Sequence, residues 1–151
     1  MLNRFCKPVC QGVALAVALC AGVASADVRI SDGWLRAVPP VSPTMAGYLT
    51  VTNEGDTSVN ITGARSEIAG HAMLHSMKTL DDGTRKMGHL HHIMLAPGES
   101  FSFSPGGDHG LLRKLQRVPQ PGESVTVCLT QAEGEAICAG LPVLREAPSG
   151  S

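Results

Sequence analysis

Turn formers break this chain roughly every 8–12 residues, and that punctuation limits its fold more than any other feature. Pro39-Pro40, Asn53-Glu54-Gly55-Asp56, Asp81-Asp82-Gly83, Pro97-Gly98, Pro105-Gly106-Gly107 and Pro121-Gly122 leave no stretch with a convincing helical period. Short segments closed in this way read as the strands of a β-sandwich or barrel. Strands are expected at 28–37, 45–53, 58–68, 72–80, 84–95, 100–104, 111–116, 124–130 and 136–144. Tyr48, Leu49 and Val51 are expected in the core, as are Val125, Val127 and Leu129 on one face of their strand. There is no internal repeat and no linker, so residues 27–146 are expected to form one all-β domain, with 147–151 as a frayed tail.

The first 26 residues read as an export signal. Arg4 and Lys7 give a positive start, Val9 to Val23 is an apolar run, and Ala24-Ser25-Ala26 is a small-x-small cleavage site. The run is short for a membrane span, which needs about 20 residues. Leu19 directly before Cys20 argues against lipidation there, because a small residue is expected at that position. The mature chain is therefore expected to start at Asp27, in the periplasm, without stable membrane insertion. It keeps 10 basic residues against 13 acidic ones, a net charge of about −3. That balance excludes a nucleic-acid footprint, which is strongly basic.

Cys128 and Cys138 are the cysteines left after the signal, and an even pair in an exported chain suggests a disulfide. A three-residue loop 132–134, with Gly134 in the left-handed conformation, would put Cys128 directly opposite Cys138. Facing Cα atoms in an antiparallel pair lie roughly 4.5–5.5 Å apart, within disulfide range. A redox-active or metal-binding dithiol is the alternative, and the spacing is not Cys-x-x-Cys.

The same reasoning gathers a donor set. Asp81-Asp82-Gly83 can close a three-residue hairpin loop, so that Leu80 faces Thr84, Met77 faces Met87, His75 faces His89 and Met73 faces His91. By alternation, Met73, His75, Met77, Met87, His89 and His91 all project from one face. A two-residue turn would put Met77 opposite Gly88 and scatter the set. Taken singly, Met73 and Met77 are ordinary core thioethers and a lone His is an ordinary surface residue. Seven His and Met residues between His71 and His91 outweigh that reading. His71 precedes the expected strand and His92 faces away, so both are weaker candidates, whereas His109 follows a glycine loop that permits close backbone approach. Thioethers are soft ligands that favour Cu(I) over Zn(II), Mg(II) or Ca(II).

The motifs resemble the PCuAC family of periplasmic copper chaperones. Leu74-His75-Ser76-Met77, Met87 twelve positions after His75, and Pro105-Gly106-Gly107-Asp108-His109 with His109 twenty-two beyond Met87 match its spacing. Trp34-Leu35-Arg36-Ala37 with Pro39-Pro40, the run from Ala46 to Gly55, and Leu141-Pro142-Val143 look like its other landmarks. The resemblance implies a cupredoxin-like Greek-key β-barrel and a Cu(I) site with His75, Met87 and His109 as ligands. It also implies delivery to the Cu(A) centre of cytochrome c oxidase, through subunit II or a Sco-type partner. A monomer is expected. Leu111 stands where the family carries its last Met ligand. Met77, His89 and His91 are the expected substitutes, and an added imidazole would let the site hold Cu(II) as well.

Competing readings fall on chemistry. A blue-copper site needs a Cys thiolate with a nearby His, and neither mature Cys has a His downstream. A His-brace oxygenase needs His at the mature N-terminus, where Asp27 stands. Ser76 and His75 lack a nucleophile elbow, so no enzyme is expected. The remaining alternative is a copper-storage, resistance or structural module of the same fold.

Overall fold

The computed structural model describes residues 27–149. The expected export signal at 1–26, and positions 150 and 151 of the expected tail, lie outside the described residues. Ten strands follow one another: β1 (Val28–Arg36), β2 (Thr44–Asn53), β3 (Val59–Ser66), β4 (Ala69–Thr79), β5 (Arg85–His89), β6 (Ile93–Leu95), β7 (Ser100–Phe103), β8 (His109–Leu115), β9 (Ser124–Gln131) and β10 (Ile137–Leu144). The order β4-β8-β2-β1-β10-β9-β3 returns to β4 through the pair Ala64–Ala72, which closes seven strands into a cupredoxin-like barrel. Every neighbouring pair is antiparallel except β1 with β10. β5 is an extra strand on the free edge of β4, so its own outer edge is unpaired.

Alternation fills the barrel. Leu35, Met45, Val51, Ile61, Leu129 and Val143 are each at most 1% exposed, and Val125, Val127 and Leu129 take the inner face of β9 as expected. Tyr48 is buried as expected, on the face opposite Leu49 and Val51, where its ring packs on Trp34 at 4.8 Å under the Arg36 guanidinium. Its cover comes from cation–π and aromatic contact outside the barrel.

The expected strand 84–95 is corrected to two strands. Leu90 still donates to the Leu74 carbonyl, and the chain then leaves β4 so that Ile93 can pair with Ile61 of β3. Burial of Ile93 and Leu95 in the core outweighs continuation of an exposed two-stranded ribbon. The β9–β10 hairpin has the expected register, and Cys128 and Cys138 form the disulfide.

Asn53 is the one fully buried polar side chain with a complete set of partners among the described residues. Its amide donates to the carbonyls of Thr57 and Leu95, and its oxygen accepts from Gly55 N–H. Asn53→Ala orphans three backbone groups at once, so thermal or urea unfolding should show a loss of about 2 kcal/mol.

Candidate metal centre

The donor hairpin folds as its turn dictates. Gly83 takes a φ of 82°, and Leu80 N–H donates to Thr84 at 2.8 Å to close the three-residue loop. Met77 then pairs with Met87 and His75 with His89. The expected pair Met73–His91 does not form, because β5 ends at His89. His91 nevertheless stays close, its ring centred 5.1 Å from that of His89.

His109 is not a loop residue, as its glycine-rich approach had suggested. It opens β8 and is the direct cross-strand partner of His75. Three imidazoles therefore stand in a row across three adjacent strands: His89 on β5, His75 on β4 and His109 on β8. Ring centroids are 4.8 Å apart for His75–His89 and 5.6 Å for His75–His109. The row lies between two others on the same face. On one side Met77 pairs with Met87, and on the other Met73 pairs with Leu111. Thioethers thus flank the imidazoles from both directions.

Burial grades the row. His75 is 7% exposed, His109 is half-buried, and every residue of β5 is exposed, Met87 at 54%. The Nδ1 atom of His75 is buried without a hydrogen-bond partner. Desolvation holds the His75 imidazole below its ordinary pKa, and the nearby His89, His109 and Arg113 push in the same direction. His75 is therefore kept neutral, with a nitrogen lone pair free. His109 Nδ1 lies 3.0 Å from the Gly107 carbonyl. A carbonyl only accepts, so the proton belongs on Nδ1 and the lone pair on Nε2.

The 105–108 loop is tied to the hairpin at two points. Asp108 Oδ1 accepts from the Met77 N–H at 2.8 Å, and the Arg85 guanidinium donates to the Gly106 carbonyl. Asp108 thus ties the loop to the β4 backbone through its carboxylate. Gly106 turns the loop with a φ of 80°, a conformation open to glycine.

His71 is corrected from a position before the strand to one inside β4, exposed and opposite Arg113. His92 bonds to Asn60 on β3 and lies away from the row, as alternation suggested. Met73 belongs to the expected donor face but not to the expected substitute ligands Met77, His89 and His91. Its sulfur sits 3.0 Å from His89 Nε2, and its alternation with His75 and Met77 was the available signal. Among the described residues, no three His, Cys, Asp or Glu side chains converge in a metal-holding group. The thioethers of Met73, Met77 and Met87 lie in the rows beside the imidazoles.

The LpqE-like family model, described as a lipoprotein family, matches residues 28–143. No curated protein matches the chain. Among solved structures, the chain is similar to the copper-bound PCuAC domain from PmoF2, at 20% identity and a TM-score of 0.64 over 81% of this chain and 97% of that one. The apo PCuAC domain from PmoF1 is similar at 18% identity and a TM-score of 0.65, over 82% and 98%. The solution structure of CuI-DR1885 from Deinococcus radiodurans is 26% identical with a TM-score of 0.58, over 83% of each chain.

Proposed function

The chain belongs to the LpqE-like family, of PCuAC type, and from that premise we propose that it is a copper carrier. It takes Cu(I) on His75, His109 and Met87, and releases it to an acceptor protein. The observation that carries this reading is the imidazole row itself, centred on a buried His75 nitrogen with no protein partner and flanked by thioethers. A buried polar atom left unpaired costs on the order of 1–3 kcal/mol unless something binds it. An ion of soft character satisfies both the nitrogen and the sulfur donors. Two relatives in fold are copper-bound proteins, which supports the same cargo here.

Neutral imidazoles and thioethers leave the ion its single charge and offer no thiolate to oxidise. Met87 sits on an exposed edge strand, so an incoming ligand can reach the ion while His75 still holds it from the barrel side. Ligand exchange can therefore be stepwise. The acceptor in this reading is the Cu(A) centre of cytochrome c oxidase, through subunit II or a Sco-type protein. Export to the periplasm fits the disulfide and the lipoprotein description of the family. Among the described residues no helix is long and apolar enough to cross a membrane. The exposed imidazoles of His89 and His91 favour a second reading, copper storage or resistance that includes Cu(II).

The test is Cu(I) titration against a chromophoric chelator, with X-ray absorption to count neighbours. One or two sulfurs and two or three nitrogens are expected, of the order that Cu(I) tolerates. A spectrum with no sulfur neighbour rejects the site.

Affinity should also depend on acidity. The folded-state pKa of His75 lies below its unfolded value of about 6.5, so the unfolded chain takes up that proton first. Stability associated with neutral His75 is complete above about pH 6.5 and is lost as pH falls through the lowered folded-state value. Protons compete with copper for every imidazole ligand, so apparent Cu(I) affinity should weaken below about pH 6. The burial of His75 moves its share of the loss to lower pH. An affinity that stays flat to pH 5 would show that imidazoles are not ligands.

A further inference from the structure

We propose that Met73 is a Cu(I) ligand in this chain, acting with His89 as an adjacent sulfur–nitrogen pair. The inference rests on the copper-carrying reading above and deepens it. Met73 Sδ lies 3.0 Å from His89 Nε2. Metal–sulfur and metal–imidazole bonds of about 2.3 and 2.0 Å, at a tetrahedral angle, put two ligand atoms about 3.5 Å apart. The pair is thus within about 0.5 Å of one edge of a coordination shell, a gap that a small side-chain rotation opens.

Met73 is two residues from His75 on β4 and shares its outward face. Since His75 pairs with His89 on one side and His109 on the other, Met73 is diagonal to both. Diagonal neighbours lie about 7–8 Å apart, within reach of a long flexible side chain. Its own partner is Leu111, which has no lone pair to offer, and the next outward residue along that row, Ala46, has none either. On this side of the imidazoles, Met73 is the soft donor. Met87 serves the opposite side, diagonal to His75 through β5. The ion would then sit over His75, at the centre of the row, with one thioether on each side of the imidazoles.

The competing account is that Met73 only packs, its sulfur accepting an N–H from His89. The two accounts separate in a protein labelled with 13C at the methionine methyls. On addition of one equivalent of buffered Cu(I), the methyls of Met73 and Met87 should both shift, while that of Met45, buried in the core, stays fixed. X-ray absorption of the loaded protein should count two sulfurs in the wild type and one in Met73→Leu. Leucine keeps the volume of Met73, so the barrel is retained, and the dissociation constant should rise on the order of tenfold. A Met73 methyl that stays put while Met87 moves overturns the proposal and leaves the carrier reading standing. So does an unchanged sulfur count in Met73→Leu. If neither methyl moves, both fall together. Should the variant misfold, the wild-type methyl shifts decide the matter alone.

Discussion

Replacing His75 by leucine lowers Cu(I) affinity on the order of 100-fold or more, while the apo protein melts at the same temperature or higher. The two halves of that result come from one atom. His75 is the shared neighbour of His89 and His109, so its loss removes the centre of the row and leaves two imidazoles on strands that flank β4. Affinity falls because the remaining donors no longer surround one point. Stability behaves differently. His75 is buried, and its Nδ1 has no hydrogen-bond partner, so the apo fold bears an uncompensated desolvation cost. Leucine fills the space without that cost, and a gain of up to about 1 kcal/mol is expected. Chelator competition measures the first effect and a thermal melt of metal-free protein the second. A large loss of apo stability would identify His75 as a structural residue and remove the main support for the metal site.

A residue that weakens the fold it sits in is often a residue kept for function. The contrast with Asn53 makes the point. Both are buried polar side chains, but Asn53 meets three backbone groups and His75 Nδ1 meets none. One is explained by folding alone and the other is not.

Local chemistry made part of this site legible. Asp81-Asp82-Gly83 admits few hairpin geometries, and once Gly83 is assigned a positive φ the pairs His75–His89 and Met77–Met87 follow by counting. The Cys128–Cys138 register follows from Gly134 in the same way. What depends on distant pairing was not legible. His109 meets His75 only because β8 lies next to β4, and no turn connects those strands. Nothing in the glycine-rich run ahead of His109 fixes which β4 residue it faces. The break after His89 likewise comes from Ile93 reaching Ile61 on β3, a core contact invisible in the alternation of the hairpin. Alternation puts Met73 on the donor face, but its neighbour Leu111 follows only from the β4–β8 register. Burial of Tyr48 was legible, but its cover by Trp34 and Arg36 on the outer face was not, because it depends on the β1–β2 register.

Breaking the disulfide should produce the largest loss of stability without touching the site. Cys128 and Cys138 face each other across β9 and β10, and β10 in turn pairs with β1 through Leu35–Val143 and Arg36–Leu144. That parallel seam is short, so the staple secures the strand on which closure of the barrel relies. Cross-linking a loop of this length restricts the unfolded chain by about 3 kcal/mol. The Cys128→Ser, Cys138→Ser double variant should lose about that much, with Cys128 adding the cost of a hydroxyl in a buried position. For a domain of this size the melting temperature should fall by roughly 10 °C. The bridge is on β9 and β10, whereas the imidazole row is on β5, β4 and β8. At a temperature where the variant remains folded, its Cu(I) affinity should therefore match the wild type within about twofold, since distant sites are close to additive. Equal stability of the oxidised and double-serine forms would mean that packing of Val143 and Leu141 alone closes the barrel. A parallel collapse of Cu(I) affinity in folded protein would instead show that the sulfurs of this pair take part in metal binding.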